Sequence, residues 1–335
     1  VNHVSLIVNG TEYVGWESEK VTRTIESLSG SFEFAAAGKV PFSPDDPCQV
    51  MIDGTSVIKG YIDDVAPEYD GTRDVTHVRG RDTTGDLVDC SLPAVETSNQ
   101  TLEQVAKAMC KPFGIPVTVE TDIGKPFVTN YLDHGMTCFE LLQKLARFRG
   151  VFIVADGNGG LVITKASTAK AAGAIVRGQN VERMTGMLTR RDRFSEYTVV
   201  NQVPGGDYVY GTDASMPHAT VKDPGVPRYR PTVLVVEPQD DLQAYGAWQR
   251  NVRAGRSSAA THTVTGWYAD GKSVLWQPNQ HVPVTDPSMD LVTADRLISE
   301  VVYLRDREGT RSEIRHMPPG AFDLLAIPEL GGMTW

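Results

Sequence analysis

The chain has 335 residues, 41% of them apolar and 22% charged, with a formal net charge of −10. This composition belongs to a folded protein with room for two or three domains and excludes a disordered chain. No run of 18 apolar residues offers a membrane span, and the acidic balance is the reverse of a nucleic-acid binder's basic face.

Residues 1–92 carry 7 Lys and Arg against 16 Asp and Glu, a net −9, so the rest of the chain is close to neutral. The opening Val1-Asn2-His3-Val4 lacks a basic run followed by an apolar one, so no secretory signal is expected, and Val1 suggests a lost Met or tag. Within 1–92 nearly every stretch reads as strand. Val4, Leu6 and Val8 alternate, Asn9-Gly10 makes a tight turn, and Tyr13, Val14 and Trp16 return. Val21 to Ile25 and Ser31 to Phe34 form a further pair. After the Pro-rich link at 41–47, Gln49 to Asp53 and Gly60 to Val65 lead to an Asp70-Gly71 turn, and Thr72 to Val78 returns.

Residues 95–176 change character. Thr101-Leu-Glu-Gln104 and Thr137-Cys-Phe-Glu140 are capping boxes, each followed by apolar residues at helical spacing. The first helix stops before Pro112 and the second at Gly150. A hairpin then turns through Asp156-Gly-Asn-Gly-Gly160. That glycine cluster lacks the late Glu of a calcium loop and the Lys-Ser/Thr of a nucleotide loop, so it is a turn. Two helices on a small sheet are expected here.

Residues 203–231, rich in Gly, Pro and Asp, form a long excursion of the kind used for interactions. From Asp240 to Arg256 a helix is expected, with Asp240 and Asp241 at its start, Arg250, Arg253 and Arg256 toward its end, and Tyr245, Trp248 and Val252 on its buried face. Short β-branched runs between turns then continue from Thr263 to Phe322. Gly-Thr-Arg occurs in both second hairpins, at 71–73 and 309–311, and the order of elements around it points to an internal duplication.

The expected fold is therefore mainly β with an α+β domain: two related antiparallel β-barrels per chain and a small α+β domain between them. The predicted boundaries are 1–92 for the first barrel and 93–178 for the α+β domain. Residues 179–202 with 257–322 form the second barrel, 203–256 the excursion and Arg-rich helix, and 323–335 a C-terminal tail.

Catalytic and metal chemistry find little footing. The four cysteines, Cys48, Cys90, Cys110 and Cys138, form no C-x-x-C pair, none has a histidine at zinc spacing, and reduced buried thiols suited to a reducing cytoplasm are expected. The seven histidines are scattered, with no helical i, i+4 pair, and there is no G-x-S-x-G elbow. Asp63 and Asp64 are expected on opposite faces of a strand. Arg190, Arg191 and Arg193, with Arg250, Arg253 and Arg256, could bind phosphate or pair with acidic groups at a subunit contact. The acidic first domain favours the second use. No catalytic residue, cofactor or metal is expected.

Several runs resemble the baseplate hub proteins of Mu-like contractile-tailed phages. They are Leu141-Leu-Gln-Lys-Leu-Ala-Arg-Phe-Arg-Gly150 with its following hairpin, Trp248 through Arg256, Gly266-Trp267 and Leu275-Trp-Gln-Pro-Asn279. Asp286-Pro287, Gly309-Thr-Arg311 and Pro318-Pro-Gly-Ala-Phe322 complete the set. The resemblance runs collinearly along most of the chain. It implies a non-catalytic homotrimer in the tail baseplate of the virion, assembled in the host cytoplasm. Its implied partners are the tail tube protein, the central spike protein and other baseplate proteins, without sequence-specific nucleic-acid binding. Six similar barrels per trimer would adapt a sixfold tube to a threefold spike and leave a channel for DNA. Asp63, Asp64, Glu68, Asp70 and Asp74 are then candidates to line that channel. A type VI secretion or tailocin hub is the near alternative. A tail-associated peptidoglycan hydrolase, or an adhesin binding sugar through Trp267 and Trp276, are alternatives of other classes.

Overall fold

The computed structural model describes residues 3–93, 95–132, 134–201, 218–236 and 241–326. The first stretch gives β1 (Val4–Val8), β2 (Thr11–Tyr13), β3 (Ser18–Thr24), β4 (Ser31–Ala37) and β5 (Pro47–Ile52). The long β6 (Thr55–Tyr69), β7 (Asp74–Asp82) and the short helix α1 (Gly85–Asp89) follow. Asn9 and Gly10 both take positive φ, as the two-residue turn between β1 and β2 requires.

The α+β portion comprises β8 (Val95–Gln100), α2 (Leu102–Cys110), β9 (Val117–Val119), β10 (Phe127–Leu132), α3 (Cys138–Arg149), β11 (Phe152–Ala155) and β12 (Leu161–Thr164). Both capping boxes form, Thr101 with Gln104 and Thr137 with Glu140, and Gly150 ends α3 in the left-handed region. Leu102, Val105, Leu141, Leu145 and Ile163 fill a core belonging to this portion.

Next come β13 (Ile175–Val176), β14 (Val181–Leu188), β15 (Glu196–Asn201), β16 (His218–Lys222) and β17 (Pro231–Val236). After α4 (Leu242–Arg256), β18 (Ser258–Thr265) and β19 (His281–Asp286) lead to β20 (Leu291–Asp306) and β21 (Gly309–Met317). β15 does not join the strands at 257–322. It lies between β16 and β17 in a separate three-stranded sheet. The tight contacts of α4 are made by glycines rather than by the expected Tyr245, Trp248 and Val252, which are only half-buried. A Cβ on Gly246 would come within 2.8 Å of Val221, and one on Gly255 within 2.4 Å of the backbone of Ala321. Part of the expected excursion, 202–217, Asp240 at the head of the expected helix, and 327–335 of the tail lie outside the described residues.

The chain is mainly β, as expected, and two of its β-units share one strand order. The first unit runs β3-β4-β7-β6-β5 and the second β14-β18-β21-β20-β19, with every neighbouring pair antiparallel. Both long hairpins are bulged at the same place, between Ile62 and Asp64 and between Ile298 and Glu300. No closed sheet is present among the described residues. Instead of curling back on itself, each unit meets the other, because the distal half of β20 pairs with β3 from Glu300↔Thr24 to Arg305↔Glu19. One 13-stranded open sheet results, and residues of both units, among them Val21, Phe34, Val264, Trp267, Trp276 and Tyr303, share one core.

Arg23 ties the portions together, donating to Gln277 Oε1 at 2.5 Å and to the carbonyl of Asp156 at 3.1 Å. Asn279 donates to the Lys165 carbonyl at 3.1 Å and accepts from the Ser167 amide at 3.0 Å. The Asp156–Gly160 segment is the expected turn, and it also docks: Thr83 donates to the Gly159 carbonyl at 2.9 Å.

At the end of the β3–β20 contact Arg305 meets buried Glu19 at 2.9 Å. Burial pushes the Glu19 carboxyl up from its ordinary 4.5 to about 7, with Arg305 acting in the opposite direction. A carboxyl raised on folding takes up its proton more readily in the native chain, so its contribution to stability declines as pH rises from 4.5 to 7. Arg305→Ala should therefore cost about 3 kcal/mol at pH 8, where a bare buried carboxylate remains, and clearly less at pH 5.5. Urea unfolding at the two pH values measures this, and equal losses would count against the pairing.

Candidate assembly surfaces and a buried polar chain

The five acidic candidates sit on the β6–β7 hairpin in different settings. The bulge inserts Asp63 into the strand, so Asp63 and Asp64 border the same shallow depression, together with Lys20, Glu33, Arg79 and Arg81. This corrects the expectation that they lie on opposite faces, which holds only for an unbroken pleat. Arg81 donates to Asp63 at 2.9 Å and to Asp89 at 2.6 Å, and Arg79 donates to Glu33 at 3.0 and 2.8 Å. Glu68 lies farther along, 3.9 Å from His77. Asp70 is part of the turn itself, accepting from the amides of Thr72 and Arg73 at 2.7 and 2.8 Å, contacts that hold its carboxyl below the usual range. Asp74 opens β7, and its carbonyl accepts from Gly38. The face is a lattice of carboxylates and arginines rather than a uniformly negative wall.

The arginine candidates also divide. Arg193 forms a two-pronged bond to buried Asp223, at 2.6 and 2.9 Å, and so is engaged within the chain. Arg253 reaches the Asp192 carbonyl at 3.0 Å and Gln249 at 3.2 Å, and Arg250 bonds to Asn251. Arg193, Arg253 and Arg256 border one cavity of about 650 Å³ with Tyr245 and Trp248. Arg190 and Arg191 are on the other side of the turn, where their carbonyls accept from Arg230.

A further polar constellation was not foreseen from the sequence. His262 on β18 and His316 on β21 are both fully buried, with 2.8 Å between His262 Nδ1 and His316 Nε2. His262 Nε2 lies 3.1 Å from Asp286, and the Arg296 Nε lies 3.1 Å from His316 Nδ1. A carboxylate can only accept and a guanidinium can only donate, so the two ends fix every proton between them. Arg296 donates to His316, His316 to His262, and His262 to Asp286, with both rings neutral. Asp286 is completed by Ser288, through its amide at 2.9 Å and its hydroxyl at 2.6 Å. A search for helical i, i+4 histidines could not find the pair. The register aligns Ala260 with His316 and His262 with Ile314, which makes the two rings diagonal neighbours on one face. Their inward phase, shared with Val264 and Ile314, was the signal available. Among the described residues, no group of three or more His, Cys, Asp or Glu is placed to hold a metal ion.

Trp267 and Trp276 are core residues at 0% and 1% exposure, which removes them as a sugar-binding surface. No helix among the described residues is long and apolar enough to cross a membrane.

Burial drives both histidines below their ordinary 6.5; Asp286 partly offsets this for His262, and Arg296 adds to it for His316. The unfolded chain then binds protons that the native one refuses, so stability should fall as pH drops below 6.5. A histidine kept neutral in the fold loses about 1.4 kcal/mol between neutral pH and pH 5.5. His316→Gln, which can still accept from Arg296 and donate to His262, should lose less than the parent over the same interval. Urea midpoints at pH 7.5 and 5.5 check this, and an undiminished pH effect in the variant would refute it.

Sequence profiles of three domain families match the chain in order. "Mu phage baseplate assembly protein GpP-like, N-terminal" covers residues 3–82 and "Baseplate hub protein gp44-like, second domain" covers 84–165. "Mu phage baseplate assembly protein GpP, fourth domain" covers 239–325. The chain is 31% identical to the baseplate hub protein gp44 of Escherichia phage Mu, over 96% of this chain and 89% of that one. Among solved structures, the 43 kDa tail protein of prophage MuSo2 from Shewanella oneidensis is 36% identical with a TM-score of 0.87, covering 96% of this chain and 100% of that one. The tail protein from Neisseria meningitidis MC58 is 26% identical with a TM-score of 0.82, covering 96% and 98%. With two β-units of one strand order flanking an α+β portion, and with this likeness along nearly its whole length, the chain belongs to the Mu-like baseplate hub family and is a structural protein of a phage tail baseplate.

Proposed function

We propose that three copies of the chain form a ring in which six β-units surround a channel, joining a sixfold tail tube to a threefold spike. The observation that carries this reading is the repeated strand order within one chain, β3-β4-β7-β6-β5 and β14-β18-β21-β20-β19. Two like units per chain supply six like surfaces only when three chains join. The ring acts without catalysis, cofactor or metal, assembles in the host cytoplasm, and has the tube protein, the spike protein and other baseplate proteins as partners. Each β-unit supplies one of the six sectors of the ring. Identity of 31% to a phage hub over 96% of the chain favours a phage tail over a secretion apparatus.

The channel wall in this reading is the polar face carrying Lys20, Glu33, Asp63, Asp64, Arg79 and Arg81, with Glu68, Asp70 and Asp74 toward the hairpin tip. Duplex DNA sticks to cations that displace its counterions. Arg79 and Arg81 are already tied to Glu33, Asp63 and Asp89, so the passing phosphates meet few free cations.

Light scattering should give a particle of about three times 36.6 kDa, if necessary in the presence of tube or spike protein. A dimer, or a monomer that persists with those partners, would sink the ring. Glu68→Lys and Asp74→Lys combined, at positions that do not face the neighbouring arginines, should slow DNA ejection while the particle still assembles. Unchanged ejection kinetics would remove these carboxylates from the channel.

A further inference from the structure

Within one chain, the second β-unit lends the distal half of its long strand to the first: Glu300–Arg305 of β20 lies along Glu19–Thr24 of β3. The strand of the first unit that matches β20 is β6, and the stretch matching 300–305 is 64–69, beyond the shared bulge. On that side β6 pairs with β5 only as far as Tyr61, so among the described residues 64–69 faces no strand. The strand of the second unit that matches β3 is β14. Apart from a single bridge at Val181, among the described residues β14 pairs with β18 alone and leaves its other edge open. Each chain thus shows one half of a joint it has already made once inside itself, and the other half of the same joint at its far end.

The geometry points to a second copy of this chain as the occupant: β6 of one copy adds its 64–69 edge to the 184–189 edge of β14 in the next, repeating the β20–β3 contact. This rests on the trimeric reading above, in which three such head-to-tail joints close a ring. Directions agree. From β14 through β18, β21, β20, β3, β4 and β7 to β6 there are eight strands, each antiparallel to its neighbour, so the next β14 arrives antiparallel to β6.

Register follows from the repeat. Glu19 stands opposite Phe34 and Phe34 opposite Val78, just as Met184 stands opposite His262 and His262 opposite Ile314. Met184 therefore takes the place of Glu19, and the aligned bulges put Asp64 in the place of Glu300. The joint then sets Tyr69 against Met184, Glu68 against Thr185, Ala66 against Met187 and Asp64 against Thr189. Pro67 meets Gly186, a residue without a side chain opposite a residue without an N–H. That pair forms one hydrogen bond fewer than the Tyr303–Val21 pair it copies.

Exposure and charge agree with this occupant. Tyr69 is 83% exposed, and Met187 and Leu188 are each 63% exposed, apolar surface that the joint would cover. Residues 63–74 hold five carboxylates against Arg73, whereas 181–193 hold Arg183, Arg190, Arg191 and Arg193 against Glu182 and Asp192. In the derived register Asp63 and Asp64 approach Arg190 and Arg191, neither of which borders the cavity beside α4. An open strand edge otherwise invites indiscriminate pairing, and Pro67 together with the flanking charges restricts which strand can add.

The test is disulfide trapping in full-length protein carrying Cys90→Ser, since Cys90 is the half-exposed native thiol and the other three are buried. Ala66→Cys with Met187→Cys, oxidised with copper phenanthroline, should give covalent dimers and trimers on a denaturing gel. Either substitution alone should give single chains, as should the out-of-register pair Ala66→Cys with Met184→Cys. A trimer by light scattering that shows no cross-link, or that cross-links equally out of register, overturns the strand joint while leaving the trimer standing. Cross-linking by one substitution alone indicates a symmetric contact and also overturns it. A monomer without cross-links, even with tube or spike protein present, overturns both.

Discussion

Backbone pairing between β3 and β20 is the contact on which the rest of the molecule depends. Six residue pairs, from Glu300↔Thr24 to Arg305↔Glu19, convert two β-units distant in sequence into one sheet with one core. β20 gives its distal half to the other unit, and among the described residues neither unit closes on itself. The α+β portion is placed by the same junction, since Arg23 in β3 also holds Asp156 on one side and Gln277 on the other. The Trp276-Gln-Pro-Asn279 run reads as a local motif, yet Gln277 and Asn279 spend their amides on neighbouring portions of the chain.

Local chemistry was the legible part of the sequence. Thr101 and Thr137 with their partners three residues on fixed two helix starts, Gly150 fixed one end, and Asn9-Gly10 fixed a hairpin. Each of these depends on atoms a few residues apart. What stayed hidden depends on register between distant strands. Nothing near Asp63 announces the bulge that turns it toward the side of Asp64. Nothing near His262 announces His316, 54 residues later. β15 reads as a strand wherever it is put, and only its pairing with β16 and β17 separates it from the main sheet. The two Gly-Thr-Arg runs are not equivalent, since the aligned bulges match Gly71 with Arg307 and Gly309 with Arg73; the relation between the units lies in their equal strand order. The candidate arginines illustrate the same limit, because Arg193 finds its carboxylate, Asp223, inside its own chain.

Buried polar groups in this protein are handled in two ways. The Arg296–His316–His262–Asp286 chain satisfies each ring nitrogen with one partner and keeps the charges at its ends, so the neutral rings incur no unmet donor or acceptor. Glu19 relies on one cation and on its ability to take up a proton. The first arrangement tolerates burial at neutral pH and resists acid poorly; the second does the reverse. Between them the two units respond oppositely to the same change of pH, although they share a core.

The β3–β20 seam also has a mechanical side. A force directed along the strands loads all six residue pairs at once, so the bonds must yield together. A force directed across them peels from one end, and each pair then carries the load alone. The two ends are where this chain adds bonds beyond the ladder. Arg305 grips Glu19 at one end, and at the other the Ser299 carbonyl receives both the Ile25 amide at 2.9 Å and the Thr24 hydroxyl at 3.1 Å. A structural protein of a phage tail baseplate is thus fastened at the two points where tearing would begin.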